Sequence, residues 1–266
     1  MDVILTGASR GIGRALAVEL GRTSSPGDRL FLLARDRARL DALHAEIPTV
    51  GVPRAVDLSR VEEATREGEA LAGVVEGALL VHNAGVWPSH CERVDGVEVG
   101  FATNCLAPLA LQGPLLRAGK VARVLVVSAG LIALGRFDPA RTPTGADFSS
   151  FRTYCTTKLA SAIAMREAAR RHPEVDFAVV HPGVVRTDLG ARRGVLGALL
   201  SLVKRRWESP EVCAARLARL IARPRWRSAS GEPPWIMEDR EAPWPAAVDR
   251  DARAVLDHLG EIGLTR

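Results

Sequence analysis

The sequence predicts an α/β fold of one domain, in which a doubly wound parallel sheet carries helices on both faces. Short apolar runs typical of buried strands alternate with helical patterns from residue 3 to residue 181, and this alternation indicates a parallel sheet. The first run leads directly into a glycine-rich turn and then into a helix, an arrangement that opens many such sheets. No linker-like stretch divides the 266 residues, which favours a single domain.

Composition and charge exclude several classes of function. The net charge of +5 is mild and spread along the chain, which indicates a solvated surface and argues against a nucleic-acid partner. The four cysteines form no CxxC pair and no group with histidine, so we expect reduced thiols in a cytoplasmic protein and no metal site. Strand-like residues begin at Val3 without a basic leader, and every apolar run looks short. We therefore expect neither a signal peptide nor a transmembrane segment.

The turn after the first strand carries glycines at positions 7, 11 and 13, and a helical pattern follows over residues 14–20. Glycine removes side chains where a turn is tight and where a ligand approaches the backbone. The N-terminus of the helix behind the turn attracts phosphate. The strand, the glycine spacing and the helix together predict a Rossmann-type dinucleotide site.

The residues after the second strand, at positions 29–34, indicate which nucleotide binds. A free 2′-hydroxyl on the adenosine ribose is usually held by a carboxylate at this point, whereas a 2′-phosphate favours arginine. The chain has Arg35 first and Asp36 second, with Arg10 inside the glycine turn. This order favours NADP(H) over NAD(H). In the alternative interpretation, Arg35 is a plain surface residue and Asp36 only caps the helix over residues 37–47.

Later strands end in residues that fit the same site. The third strand ends at Asp57, which either meets the adenine or caps the next helix. Small residues follow the fourth strand and would let a cofactor lie against the backbone, and a Pro-Gly pair follows the sixth. The small residues are Asn83, Ala84 and Gly85, and the pair is Pro182 and Gly183.

Tyr154 and Lys158 lie four positions apart in a run that reads as helix, so both side chains can reach the same small volume. Tyr154 is the only tyrosine of the chain, and Lys158 is one of three lysines. A lysine ammonium close to a phenol favours the phenolate and lowers the pKa of the phenol, which makes tyrosine a better proton donor near neutral pH. The pair therefore predicts acid–base chemistry.

Jointly, these motifs resemble those of the short-chain dehydrogenase/reductases, classical branch, over residues 3–187. The resemblance rests on the glycine turn, the segments after the third and fourth strands, Asn104, the pair of Tyr154 and Lys158, and the Pro-Gly pair. The residues around Asn104 and after Gly183 are most similar to the retinol-dehydrogenase-like subgroup.

The resemblance implies a role for each matched residue. Tyr154 is expected to be the general acid for carbonyl reduction or the base for alcohol oxidation, with Lys158 lowering its pKa and binding the nicotinamide ribose. Asn104 is expected to hold a water of the proton relay through its helix backbone, or else to be a helix residue bonded to a neighbouring strand. The implied cofactor contacts are Gly7, Ser9, Arg10, Gly11, Ile12 and Gly13 for the phosphates, Arg35 for the 2′-phosphate, Asp57 and Leu58 for the adenine, Asn83, Ala84 and Gly85 for the ribose and cofactor centre, and Pro182, Gly183, Val185 and Thr187 for the nicotinamide, besides Tyr154 and Lys158.

One position departs from the family pattern. Family members usually end the fifth strand in two serines, of which the second binds the substrate carbonyl, whereas this chain has Ser128 and then Ala129. Successive strand residues point to opposite faces, so Ser128 replaces the missing group only if the strand end is bent or shifted. Gly130 would permit such a shift, and we nominate Ser128 as the donor to the substrate oxygen.

The remaining chain predicts a lid and a structured tail. Residues 188–208 form an apolar run bracketed by basic residues, which predicts a lid over a hydrophobic substrate. An interfacial helix on an anionic membrane is the alternative. A helix with Ser209 as its cap follows. The tail, residues 223–266, is predicted to contain a strand at 234–238 and a closing helix at 246–260.

Together these observations predict an NADP(H)-dependent oxidoreductase that transfers a hydride between nicotinamide and a carbonyl or alcohol carbon of an apolar small molecule. The alternatives are a carbon–carbon double-bond reductase, which Ala129 makes more credible, and an NADP(H)-binding sensor with weak turnover. The expected partner is the small-molecule substrate. The resemblance also allows a homodimer or homotetramer, paired through the helices of Asn104 and Tyr154.

Overall fold

The computed structural model describes residues 1–47, 50–186, 207–227 and 231–264. An eight-stranded sheet runs through its centre in the order β10-β9-β8-β7-β4-β1-β2-β3, and β5 and β6 form a separate hairpin. Every pair in the large sheet is parallel except β9 with β10. The strands are β1 (Asp2–Thr6), β2 (Arg29–Ala34), β3 (Gly51–Ala55), β4 (Ala78–His82), β5 (Arg93–Val94), β6 (Val97–Glu98), β7 (Val121–Val127), β8 (Asp176–His181), β9 (Trp235–Met237) and β10 (Arg240–Ala242).

The helices are α1 (Gly11–Thr23), α2 (Arg37–Glu46), α3 (Val61–Ala72), α4 (Val99–Arg117), α5 (Ser150–Arg171), α6 (Pro210–Ile221) and α7 (Ala246–Glu261). Within α4, Ala102–Leu106 forms a π-helical segment, and a short 3-10 helix, Gly130–Leu134, follows β7. Most predicted elements agree with these bounds within a few residues. The sequence did not indicate the hairpin β5–β6, the antiparallel strand β10 or the π-helical segment.

Alternating strand residues build one core on each face of the sheet. In β1, Ile4 belongs to the core that also contains residues of α3, α4, α5 and α7. Val3 and Leu5 belong to the opposite core, which contains residues of α1, α2 and α6. Strands buried on both faces are apolar throughout, which explains the continuous apolar runs in the sequence. The doubly wound α/β fold is confirmed.

The strand order places a crevice at one edge of the sheet. The chain proceeds from β1 outward through β2 to β3 and then returns to β4 on the other side of β1. In open α/β sheets, ligands bind beyond the carboxyl ends of the strands at this reversal of order. The residues after β1, β2, β3, β4, β7 and β8 therefore face a common site.

Helix α4 is long and apolar enough, by length and composition alone, to span a bilayer, and no other helix among the described residues meets that test. The expectation that every apolar run is too short to span a membrane did not take this helix into account. In the fold, 94% of its apolar window is buried. Burial of this kind is typical of a core helix, which passes the same test of length and composition.

The closing helix α7 lies against α5 and reaches α4. On the α5 side, Arg166 Nη1 donates a 2.6 Å hydrogen bond to Asp249 Oδ1. On the α4 side, the His258 ring lies 6.0 Å from the Phe101 ring, measured between centroids. The buried carboxylate of Asp251 also accepts a 2.9 Å hydrogen bond from the backbone N–H of Phe137. Helix α7 is therefore an integral part of this core.

Candidate active site

A cavity of about 700 Å³ opens at the carboxyl edge of the sheet. This volume suits a dinucleotide together with a small substrate. Most of the predicted site residues lie in its wall, although they come from six separate strand ends and from helix α5. Those in the wall are Gly7, Ser9, Arg10, Gly11, Ile12, Arg35, Asp57, Leu58, Asn83, Ala84, Gly85, Ser128, Tyr154, Lys158, Pro182, Gly183 and Val185.

Two predicted residues among those described, Gly13 and Asn104, do not line this wall, and Thr187 lies outside the described residues. The expected contact of Gly13 with the phosphates stays a prediction, and the structure shows close packing around this residue. A Cβ on Gly13 would lie 2.3 Å from the carbonyl oxygen of Gly7 and 2.4 Å from Asn83 Nδ2. Glycine is therefore required for helix α1 to approach the turn that precedes it.

The turn itself is held close to the segment after β4. Gly7 has φ +69°, and a Cβ on it would lie 2.8 Å from Ala84 Cα. Asn83 Nδ2 donates a 3.0 Å hydrogen bond to the carbonyl oxygen of Thr6, and Thr6 Oγ1 accepts from the backbone N–H of Asn83 at 3.0 Å. These contacts leave a backbone-lined floor beneath the cavity, against which a flat ligand can lie.

The N-terminus of α1 points its free N–H groups toward this floor. The residue that precedes the helix, Arg10, makes no side-chain capping hydrogen bond, and Gly11 and Ile12 lie in the cavity wall. Uncapped N–H groups at a helix N-terminus, together with the helix dipole, favour a phosphate. The residues present therefore fit the pyrophosphate of a dinucleotide.

The end of the cavity beyond β2 is rich in arginine. Arg10, Arg35 and Arg39 all lie in its wall. Asp36 Oδ1 accepts a hydrogen bond from the backbone N–H of Arg39 at 3.1 Å, and its Oδ2 lies 3.0 Å from Arg39 Nε. The alternative role of Asp36 as a helix cap is thus confirmed. Because Asp36 is engaged in this way, the surroundings favour an anionic group over a hydroxyl.

Asp57 lies in the wall and also organises the turn before α3. Its Oδ1 accepts hydrogen bonds from the backbone N–H of Ser59 at 3.0 Å and from Ser59 Oγ at 2.8 Å. Arg35 Nε lies 4.0 Å from the same oxygen. The residue at the N-cap of α3 is Arg60, and no side chain caps this helix, so Asp57 shapes the turn before α3 and does not cap it. The expected contact of Asp57 with the adenine stays a prediction.

Tyr154 and Lys158 share the cavity wall, as their spacing on α5 predicts. Tyr154 is only 6% exposed, and its ring stacks face to face on that of Trp87, with centroids 4.3 Å apart and planes 5° apart. Burial raises the pKa of the Tyr154 phenol. Desolvation is the main cause of this shift, and Cys155 adds to it. The expected lowering of the pKa by Lys158 is not among its causes.

Lys158 is 7% exposed, and its Nζ donates a 3.0 Å hydrogen bond to the carbonyl oxygen of Val127. Burial lowers the pKa of the Lys158 ammonium from 10.5 to about 8. A Cβ on Gly85 would lie 3.3 Å from Nζ. The ammonium is thus held between the end of β7 and the segment after β4, at the position where the resemblance places a ribose.

Asn104 lies in the π-helical segment of α4, and its amide joins two parts of the site. Its Oδ1 accepts a 2.8 Å hydrogen bond from the backbone N–H of Val86, and its Nδ2 donates to the Val86 carbonyl oxygen at 2.9 Å and to Thr157 Oγ1 at 3.0 Å. The side chain therefore fastens the loop after β4 to the helix that carries Tyr154. Single turns of π-helix are frequent at functional sites. The expected water-holding role of the Asn104 backbone stays a prediction.

Ser128 continues the regular strand pairing instead of bending away from it. Its backbone N–H donates a 2.7 Å hydrogen bond to the carbonyl oxygen of Val180. The Ser128 hydroxyl oxygen is buried and bonds to no described residue. Ala129 beside it has φ −147° and ψ 144°, so the extended conformation persists. The role of Ser128 as a donor to substrate stays a prediction, and it requires its hydroxyl to turn toward the cavity.

Arg216 of α6 holds the segment after β8 in place. Arg216 Nη2 donates a 2.8 Å hydrogen bond to the carbonyl oxygen of Pro182, and Arg216 also pairs with both carboxylate oxygens of Glu208. The backbone N–H of Arg186 donates a 2.8 Å hydrogen bond to the carbonyl oxygen of Glu208. The backbone N–H of Glu208 donates a 3.2 Å hydrogen bond to the carbonyl oxygen of Val184. Most of the predicted lid, residues 188–208, lies outside the described residues.

Several residues of the cavity wall were not predicted from the sequence. Trp87 and Arg39 lie there, and so does His181, whose pKa is lowered by burial. The sequence analysis gave His181 no role. The position of Arg39, one helical turn after Arg35, could have been noticed as a second cation at the same strand end. Nothing in the sequence pairs Trp87 with Tyr154.

Comparisons with known proteins agree with this geometry. A family described as short chain dehydrogenase matches residues 2–137. Retinol dehydrogenase 14 of Mus musculus is 32% identical over 212 residues, which cover 71% of this chain and 62% of that protein. The chain thus spans less than two thirds of that relative. Retinol dehydrogenase 12 of Homo sapiens is 32% identical over 226 residues, 80% of this chain and 69% of that protein.

Solved structures share the fold at low sequence identity. A short chain dehydrogenase from Burkholderia cenocepacia J2315, solved in complex with NADP, superposes with a TM-score of 0.65 at 21% identity. The superposition covers 89% of this chain and 96% of that one. At this identity the likeness concerns the fold alone.

Proposed function

Since the chain belongs to the short-chain dehydrogenase family of oxidoreductases, we propose that it transfers a hydride between NADP(H) and a carbonyl or alcohol carbon of an apolar small molecule. The observation that carries this proposal is the common cavity of Tyr154, Lys158 and the glycine turn. It combines a proton donor, a cation and a phosphate-binding helix terminus in one space. The names of the retinol dehydrogenases support an alcohol or carbonyl substrate.

The preference for NADP(H) rests on the arginines beyond β2. Arg35 and Arg39 lie in the wall of the same cavity as Arg10, and Asp36 is engaged in capping α2. A guanidinium binds a phosphate through two charge-assisted hydrogen bonds, whereas a free ribose hydroxyl would need an available carboxylate. The solved relative with bound NADP supports the same choice.

In the proposed reaction the bound nicotinamide supplies or accepts the hydride. Tyr154 donates a proton to the substrate oxygen during reduction and accepts it during oxidation. Lys158, with its pKa lowered to about 8 by burial, holds the nicotinamide ribose and provides a positive charge close to the phenol. Asn104 fixes the loop after β4, and Ser128 is the second donor to the substrate oxygen once its hydroxyl has turned toward the cavity.

The outer part of the cavity supports an apolar substrate. Leu131, Val184 and Trp87 contribute apolar surface to its wall, and Val184 is 55% exposed. Large apolar side chains that remain exposed beside a cavity mark a site for an apolar ligand. A panel of apolar aldehydes, ketones and enones tests this part. Reduction of enones alone would favour the double-bond reductase, and binding without turnover would favour the sensor.

The experiment that tests the whole proposal is a fluorescence titration of the purified protein with NADPH and with NADH. We expect tighter binding of NADPH, and we expect Arg35→Glu to weaken it by at least about ten-fold through the loss of a charge-assisted contact. Arg37→Glu is the matched control, because Arg37 is exposed and pairs with Asp41 on α2. If neither nucleotide binds the wild-type protein, the oxidoreductase proposal should be abandoned.

A further inference from the structure

The indole of Trp87 covers one face of the Tyr154 ring. The centroids lie 4.3 Å apart and the planes are nearly parallel at 5°. Stacked aromatic pairs at this separation stabilise each other beyond the burial of their area. Tyr154 is 6% exposed, so its ring has little room to reorient while the indole stays in place.

The backbone beside Trp87 is itself tied to the helix of Tyr154. Val86, the residue before Trp87, exchanges two hydrogen bonds with the Asn104 amide, of 2.8 and 2.9 Å. Asn104 Nδ2 donates to Thr157 Oγ1 at 3.0 Å, and Thr157 Oγ1 donates to the carbonyl oxygen of Tyr154 at 3.1 Å. The backbone that carries the indole is thus linked through Asn104 and Thr157 to the backbone that carries the phenol. These hydrogen bonds fix the distance between the two residues, and the stack fixes the orientation of their rings.

Phe151 approaches Trp87 in a different way. Its ring centroid lies 6.0 Å from that of Trp87 with the planes tilted by 46°, and its side chain is 43% exposed. Phe151 therefore borders the indole at the surface, whereas Tyr154 is the residue against which the indole lies flat. The indole therefore has its closest and most parallel ring contact with the buried phenol.

From this geometry we propose that Trp87 is a positioning residue for Tyr154, which holds the phenol so that its hydroxyl edge alone meets the substrate. The inference rests on the proposed role of Tyr154 as the proton donor. General acids act only when their proton lies within hydrogen-bond reach of the reacting oxygen. A displacement of about 1 Å at such a group can cost about 100-fold in rate. The stack of Trp87 on one face of the Tyr154 ring limits displacements of this kind.

The single tyrosine of the chain makes a direct test possible. Because Tyr154 is the only tyrosine, the near-ultraviolet absorbance of tyrosinate in the folded protein reports on this one phenol. Trp87→Ala removes the cover and admits water, so we expect Tyr154 to ionise at a pH lower by about one unit than in the wild type. Trp87→Phe keeps a stacking ring and should titrate close to the wild type. If Trp87→Ala does not fold, Trp87→Leu, which keeps apolar volume but cannot stack, allows the same comparison.

Turnover of a small aldehyde gives the second readout. We expect Trp87→Ala to lower kcat by about ten-fold with little change in KM, because positioning affects the transition state more than ground-state binding. Trp87→Phe should restore most of the lost rate, and the control Phe151→Leu should leave both constants near wild type. A Tyr154 titration and a kcat that are both unchanged in Trp87→Ala would overturn the inference.

The two readouts separate this inference from the proposed function. The titration needs neither substrate nor cofactor. A protein that shows the shift in titration but neither reduces a carbonyl nor oxidises an alcohol would refute the proposed function and support the contact of Trp87 with the phenol. Normal turnover in Trp87→Ala with an unshifted titration would refute the inference alone.

Discussion

The ammonium of Lys158 donates a 3.0 Å hydrogen bond to the carbonyl oxygen of Val127, the last residue of β7. A cation from α5 is thereby fixed at the carboxyl end of a central strand. Among the described residues no carboxylate pairs with this ammonium, and its hydrogen bond goes to a backbone oxygen. A buried charge without an ionic partner costs the folded state free energy. This cost gives a first prediction.

We expect Lys158→Met to abolish turnover and to raise the free energy of unfolding at pH 7 by about 1 to 3 kcal/mol, because an apolar side chain of similar length replaces a buried charge. The pKa of Lys158 is lowered from 10.5 to about 8, so the native chain loses this proton before the unfolded chain does. The cost to the native state is thus fully present below pH 8 and shrinks as the pH rises toward 10.5. Urea unfolding should show a larger increase in the free energy of unfolding for the variant at pH 7 than at pH 10. Lys120→Met, which removes a surface partner of Glu76, should give no such gain.

Ser128 and Ala129 give a second prediction. The Ser128 hydroxyl is buried and bonds to no described residue, so Ser128→Ala should raise the free energy of unfolding by about 1 kcal/mol. If the hydroxyl turns to the substrate during catalysis, the same variant should lose about ten-fold in kcat. Ala129→Ser should increase kcat by a similar factor. Steady-state kinetics and urea unfolding of both variants test this, and an unchanged kcat in Ser128→Ala would remove Ser128 from the mechanism.

The stability of the protein should fall in mild acid because of His82. This side chain is buried, its Nε2 lies 3.1 Å from Gln112 Oε1, and burial lowers its pKa from 6.5 to about 4. Between pH 6.5 and pH 4 the unfolded chain therefore binds a proton at His82 that the native state does not bind. The contribution of neutral His82 to stability is full above pH 6.5 and is lost as the pH falls toward 4. Over this range we expect the wild type to lose up to about 3 kcal/mol more than His82→Gln. His90→Gln, at an exposed position, should follow the wild type; equal slopes for all three proteins would contradict the prediction.

Arg216 should control cofactor binding from a distance. It holds the Pro182 carbonyl oxygen at 2.8 Å and pairs with Glu208. Arg216→Ala leaves both groups without this partner, and we expect a loss of about 2 to 3 kcal/mol in the free energy of unfolding with weaker NADPH binding. Arg216→Lys should not restore either, because an ammonium cannot reproduce the two-pronged contact. Arg219→Ala on the same helix changes an exposed arginine and should behave as wild type in thermal melts and in NADPH titrations.

Much of the fold followed from local patterns. The alternation of apolar runs and helical patterns predicted the parallel sheet, and the glycine turn and the small residues at Asn83 to Gly85 predicted where its cavity would open. Tyr154 and Lys158 could be paired because one helical turn separates them. Each of these signals is local, because its own residues lie within a few positions of each other, and this is the range over which spacing determines geometry.

The properties that were missed depend on contacts between distant segments. The pKa of Tyr154 is raised because its surroundings exclude water, and the spacing to Lys158 carries no information on burial. The side chain of Asn104 bonds to Val86 and Thr157, which are remote in sequence. Trp87 meets Tyr154 only after β4 and α5 have been packed together. The close packing of Gly13 against Asn83 also joins segments that are remote in sequence.

Helix α7 bears on how copies of this chain could meet. It covers part of α5 and reaches Phe101 of α4, the two helices through which pairing of copies was expected. The side chains beneath α7 are therefore already occupied within one chain, and a pair of copies would have to meet through the parts of α4 and α5 that α7 leaves uncovered. The edges of the sheet are short or lack a donor, since β3 contains Pro53, which has no N–H, and β10 spans only Arg240–Ala242. The closing helix thus divides the surface of α5 into a part used by the chain's own core and a part left for contacts with other molecules.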